Sequence, residues 1–140
     1  MMTKSRKLTA AALVVPATVA LVVAGTASAA SATTGSPSGA PPAADNANVW
    51  CVSTTGAKAC FAAYGDYVWV KDTKANGESA AGTIQGHNWA RQCFNDRGAA
   101  GGWVKCDFDV PEYESGLLWA VNNPFIGSQA STAIYTSNPI

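Results

Sequence analysis

Residues 51–72 read CVSTTGAKACFAAYGDYVWVKD, and their alternation decides the fold. Two cysteines flank a short turn signal, TTGA at 54–57; a register that sets Ser53 opposite Lys58 also sets Cys51 opposite Cys60. Residues directly opposed on antiparallel strands lie within disulfide reach. The segments CFAAY (60–64) and DYVWVKD (66–72) are rich in aromatic and β-branched residues, with Gly65 read as a bulge between two strands. If Val68 and Val70 point inward, Tyr67, Trp69 and Lys71 form an outward stripe.

Outward from this stretch, strand signals recur and helix signals do not. Asn76-Gly77 predicts a tight hairpin turn. From Trp103 to Val110 the chain alternates, Val104, Cys106, Phe108 and Val110 on one face and Trp103, Lys105, Asp107 and Asp109 on the other, the pattern of a half-buried strand. Between Cys93 and Cys106 lies RGAAGG (97–102), a glycine-rich loop. Setting Asp96 opposite Trp103 across it sets Cys93 opposite Cys106. YESGLLWAVNNPF (113–125) fits a strand or a short helix and is read as a strand, and residues 132–136 read as the last strand. The expected fold is all-β, a small antiparallel sandwich or barrel with two local hairpin disulfides, Cys51–Cys60 and Cys93–Cys106. Each bridge closes a short loop and stabilises by roughly 3 kcal/mol through the unfolded chain. The four cysteines lack the paired C-x-x-C spacing of a zinc site, so no metal and no cofactor is expected.

The N-terminal third reads differently. Lys4, Arg6 and Lys7 precede an apolar run from Leu8 to Ala24, and Ala27-Ser28-Ala29 is a small-x-small cleavage pattern. Residues 1–29 are therefore read as a signal peptide cut before Ala30, with Ala30-Ser31-Ala32 as a second possible site, and the protein as secreted and extracellular. Residues 30–48, ASATTGSPSGAPPAADNAN, contain no aromatic residue and no aliphatic one larger than Ala. Such a stretch buries too little to offset the entropy of ordering it, and a disordered leader is expected there, with the folded domain at 49–140. The whole chain has nine basic and nine acidic residues. Without Lys4, Arg6 and Lys7 six basic residues face nine acidic ones, a net charge near −3. That mildly acidic balance carries no footprint for nucleic acid, and no membrane association is expected once the signal is removed.

The run ACFAAYGDYVWVKDTKANGESA (59–80), followed by the Cys93–Cys106 segment with GGWVKCDFD, resembles a set of small secreted actinobacterial proteins. Their shared pattern is Cys-Phe, then Tyr-Gly-Asp, then Trp-Val-x-Asp-Thr, an Asn/Asp-Gly turn and a Gly-flanked Cys hairpin. The resemblance implies export and a compact β domain, and it implies no activity. After Glu112 the chain departs from the pattern, lacking the further Cys that some of the group carry.

Three kinds of residue are candidates for function. His87, the sole histidine, has no nucleophile signature beside it, so a solvent-facing loop residue is expected and no catalytic role. Asp107, Asp109, Glu112 and Glu114 suggest a Ca²⁺ site or a glycosidase pair, against which stands the plainer reading of a solvated strand face. DTKANGE resembles half an EF-hand loop, but Lys74 and Thr83 occupy positions that need carboxylates. The aromatic residues are denser than a small core requires, with five Trp and four Tyr. Trp103, Trp69 and Tyr67, with Asp107 beside them, are the expected binding residues, because exposed flat rings near polar groups hold sugars or protein partners; against this stands a two-sided core that covers both strand faces, the reading favoured for Trp69. The expected function is a non-enzymatic extracellular domain that binds a glycan or a protein. A secreted protease inhibitor is the alternative.

Overall fold

The computed structural model describes residues 29–44, 48–123 and 127–137, with only the backbone of 29 and 30. The signal peptide read at 1–29 lies outside the described residues except for Ala29. Among the described residues, ten strands form two five-stranded sheets that pack face to face. They are β1 (Ala29–Thr34), β2 (Ser36–Ser38), β3 (Val49–Thr54), β4 (Ala57–Ala62), β5 (Tyr67–Asp72), β6 (Ala80–Gln85), β7 (Trp89–Asn95), β8 (Trp103–Asp107), β9 (Ser115–Asn122) and β10 (Gln129–Tyr135). Sheet A runs β1-β7-β6-β9-β10 and sheet B runs β2-β8-β5-β4-β3. The expected all-β sandwich is what forms, antiparallel throughout except where β1 pairs in parallel with β7.

The strands bury the faces their alternation marks. In sheet B, Ala57, Ala59 and Phe61 of β4, Val68 and Val70 of β5, and Val104 and Cys106 of β8 point into the sandwich. Sheet A answers with Ala80 and Ile84 of β6, Trp89 and Cys93 of β7, Leu118 and Ala120 of β9, and Ile134 of β10. Many of these are small, so the sheets approach closely while Phe61, Ile84 and Leu118 fill the middle.

The first hairpin has the expected register, Ser53 opposite Lys58 and Cys51 opposite Cys60, and the Cys51–Cys60 disulfide is cross-strand. Its connection is Thr55-Gly56, and the positive φ of Gly56, 91°, is one that a side chain resists. Gly65 is not a bulge: with Asp66 it forms the positive-φ part of the turn between β4 and β5, at φ 86° and 56°.

Two hairpin expectations are corrected. Cys93 and Cys106 are bonded as expected, but β7 belongs to sheet A and β8 to sheet B, so this bridge joins the two layers instead of opposed strands of one hairpin. Likewise β5 and β6 lie in different sheets, and Asn76-Gly77 turns a crossing segment. Its turn chemistry is intact, with the Glu78 N–H donating to Asn76 Oδ1 at 3.0 Å and Gly77 at φ 73°. Turn residues fix a change of direction; what the flanking strands pair with is settled by the core.

The disordered leader expected at 30–48 is corrected at its start. Residues 29–34 form β1 and 36–38 form β2, on the edges of opposite sheets. Ser31 to Thr34 are small residues that leave their side chains exposed; backbone pairing to an open sheet edge holds them. Gly35 is the buried crossing point, its N–H donating to the Phe94 carbonyl at 2.8 Å. A Cβ there would lie 2.5 Å from Val104 Cγ2 and 3.1 Å from Cys93 Sγ, so only glycine lets the chain pass over the inter-sheet disulfide.

Candidate functional site: the outer face of sheet B

On each strand of sheet B the residues between the core positions point to the opposite side. Register places them in rows. One row runs Ser53, Lys58, Lys71, Trp103, Ser38, and the next runs Cys51, Cys60, Trp69, Lys105, Ser36. The third runs Val49, Ala62, Tyr67, Asp107. Strands β5 and β8, which carry opposite phases of the ring-and-lysine alternation, bring Tyr67, Trp69, Trp103 and Asp107 onto one surface.

Within this surface the rings have different standing. Trp69 is only 6% exposed, packed with Val49, Ala62 and the Cys51–Cys60 bridge, and edge-on to Tyr67 at 5.6 Å between ring centres. It is therefore the floor of the surface: the covered-face reading holds for Trp69, and its place among the expected binding residues is corrected. Tyr67 and Trp103 are half-buried and keep ring area toward solvent. Tyr64 joins Tyr67 edge-on at 6.5 Å and extends the aromatic strip toward the β4–β5 turn. Asp107 is exposed, in register with Tyr67.

Sequence reasoning put Lys71 and Lys105 on the outward faces but gave the lysines no part in binding. Lys105 Nζ sits 4.5 Å from the centre of the Tyr67 ring, and Lys71 Nζ 5.9 Å from that of Trp103. These are cation–π distances, and they hold each ammonium beside a flat apolar face. Lys58 stands directly opposite Lys71, a like-charge pairing that destabilises a sheet. Neither of these two lysines forms an ion pair among the described residues. The signal was available in sequence: Lys58 and Lys71 share the outward phase of strands whose inner faces are clear.

Apart from Asp107, the acidic candidates lie elsewhere. Glu114 accepts the Trp89 indole N–H at 2.6 Å, and Asp109 and Glu112 are exposed. No three His, Cys, Asp or Glu side chains are grouped to hold a metal among the described residues. Asp66, which sequence reasoning passed over, is 8% exposed; its Oδ2 accepts the Val110 N–H at 3.2 Å, while Oδ1 is buried and meets no donor among the described residues. Burial pushes its carboxyl above the ordinary aspartate range, and Glu112, Asp109 and Asp107 push the same way, with the Val110 N–H opposing. His87 is exposed in the β6–β7 turn, in a groove with Gly86 and Ser115.

No family model matches the chain, and no curated protein or solved structure matches it significantly.

Proposed function

We propose that the chain is an exported, non-enzymatic binding domain that holds an extracellular partner, an acidic glycan foremost, against the outer face of sheet B. The observation that carries this reading is the Lys58–Lys71 pair beside Trp103. Like charges in direct register cost stability, and such local costs concentrate where a protein has a task. A carboxylated sugar chain relieves the repulsion and offers ring faces that stack on Trp103 and Tyr67. The rows of this surface cross five strands, which suits an extended polymer.

Export is part of the same proposal. It rests on the basic and apolar N-terminal run and on two disulfides, bonds that persist in oxidising compartments. Mass spectrometry of a culture supernatant checks it, and recovery of the chain solely inside cells would end that part.

The binding test is retention on immobilised polygalacturonate across a salt gradient. Wild-type protein is expected to bind at low salt and elute as salt screens the lysines; Trp103→Ala and Lys71→Glu are expected to pass through. Retention of both variants equal to wild type would remove the proposal.

A protease-inhibitor reading has one loop in its favour. Tyr113 is 74% exposed, and both sides of its loop are anchored by Thr136, whose Oγ1 donates to the Pro111 carbonyl at 2.7 Å and accepts the Glu114 N–H at 2.9 Å. Tyr113 sits at φ 63°, however, away from the extended backbone that a protease cleft accepts, which speaks for the binding-surface reading.

A further inference from the structure

The opposite side of the sandwich has a character of its own. Outward residues of sheet A also fall into rows: Ala32, Gln92, Thr83, Trp119 and Ser131 in one, with Gln85 beside Leu117 and Val121 beside Gln129 in the rows flanking it. Thr83, Gln85, Gln92, Trp119, Val121 and Gln129 line a shallow cleft of about 300 Å³. None of the six is charged, whereas sheet B presents three lysines on its outer face.

We propose that this cleft is a second binding site, one that takes a neutral saccharide. The chemistry of its walls argues for that class. A carboxamide carries both a donor and an acceptor, and a threonine hydroxyl is both at once, as is every hydroxyl of a sugar. A charged ligand finds no counter-charge in this lining. The Gln92 carboxamide is held in one orientation because its Nε2 donates to Thr83 Oγ1 at 3.0 Å. Trp119 supplies a half-buried ring, the kind of face on which the C–H side of a pyranose lies.

A second, independent observation is the indole N–H of Trp119. It is screened from solvent and meets no acceptor among the described residues. A donor left in that state costs about 1–3 kcal/mol, and buried donors in folded proteins are nearly always satisfied. The side chains that cover it must shift before a ligand hydroxyl oxygen can supply the acceptor, so occupancy of the cleft is expected to move the Trp119 indole. The cleft also continues along the sheet, because Gln85 is shared with a neighbouring groove formed with Gly86, His87, Ser115 and Leu117. The occupant is thereby an oligosaccharide longer than a single ring.

This site is independent of the one on sheet B, and the experiment keeps them apart. Neutral hexasaccharides of glucose, mannose and N-acetylglucosamine are titrated into ¹⁵N-labelled protein, with the Trp119 indole resonance identified by its loss in Trp119→Phe. At least one is expected to move that resonance and leave the Trp103 indole in place. Gln85→Ala and Gln129→Ala, both at exposed positions that the fold does not need, are expected to weaken binding by about three- to tenfold each, the scale of one neutral hydrogen bond. Trp103→Ala with Lys71→Glu is expected to leave it unchanged while abolishing polygalacturonate retention. The proposal is overturned if no neutral hexasaccharide shifts the Trp119 indole at about 10 mM, an affinity floor already weaker than 1 mM. It is equally overturned if the glutamine variants bind as wild type, or if the protein is a dimer with this face covered.

Discussion

Lys58 and Lys71 face each other in register on adjacent strands, with Trp103 next in the row. The pairing sets stability against binding. Lys58→Glu turns a repulsive pair into an attractive one and is expected to stabilise the fold by about 0.2–1 kcal/mol in a denaturant melt. The same variant is expected to bind polygalacturonate several-fold more weakly. A variant that is both no more stable and equally well retained would show that these lysines have no part in recognition.

Trp69 and Trp103 separate packing from contact. Trp69→Ala removes a ring from the covered floor over the Cys51–Cys60 bridge and is expected to cost about 3–5 kcal/mol. Trp103→Ala, at a half-buried position on β8, is expected to cost well under half of that and to lose glycan retention. Urea melts alongside the retention assay check both. Equal destabilisation by the two would make Trp103 a packing residue.

Asp66 predicts a pH response. Its carboxyl is raised in the folded protein, so its contribution favours folding while it is protonated and is lost as pH rises through the folded value. Asp66→Asn keeps an acceptor for the Val110 N–H and tolerates the φ of 56°, while removing the buried charge. The variant is expected to melt higher than wild type at neutral pH, with the difference shrinking toward about pH 4, the ordinary aspartate range. A wild-type advantage at neutral pH would contradict the assignment.

Gly35 predicts how the inter-sheet disulfide is guarded. Gly35→Val places new atoms against Val104 and Cys93 and is expected to lift β1 and β2 from their sheet edges. The Thr33 carbonyl oxygen, 3.7 Å from Cys106 Sγ, moves away with them. Dithiothreitol is expected to reduce Cys93–Cys106 faster in the variant, with Cys51–Cys60 unaffected. Unchanged reduction of the inter-sheet bridge would mean that the crossing segment does not shield it.

Much of this architecture is legible in the residues because strand alternation has a period of two and a single buried face. Val68, Val70, Val104 and Cys106 all lie on the side their pattern assigns, and the register of Cys51 with Cys60 follows from a two-residue connection. The same alternation put Tyr67, Trp69 and Trp103 outside. It was silent on how far each is covered, because exposure depends on neighbours from other strands. The binding role of these residues remains a proposal resting on that placement.

The sequence by itself determined the all-β class, the first hairpin and the inward face of its central strands, since these rest on interactions between residues close along the chain. Tertiary structure alone decided that Cys93 and Cys106 join two layers, that a leader without large apolar residues adds an edge strand to each sheet, and that the lysines meet the rings. The physical reason is common to all three: they depend on which open edge or opposing sheet a strand meets. Backbone hydrogen bonding to an edge leaves no trace in side-chain pattern.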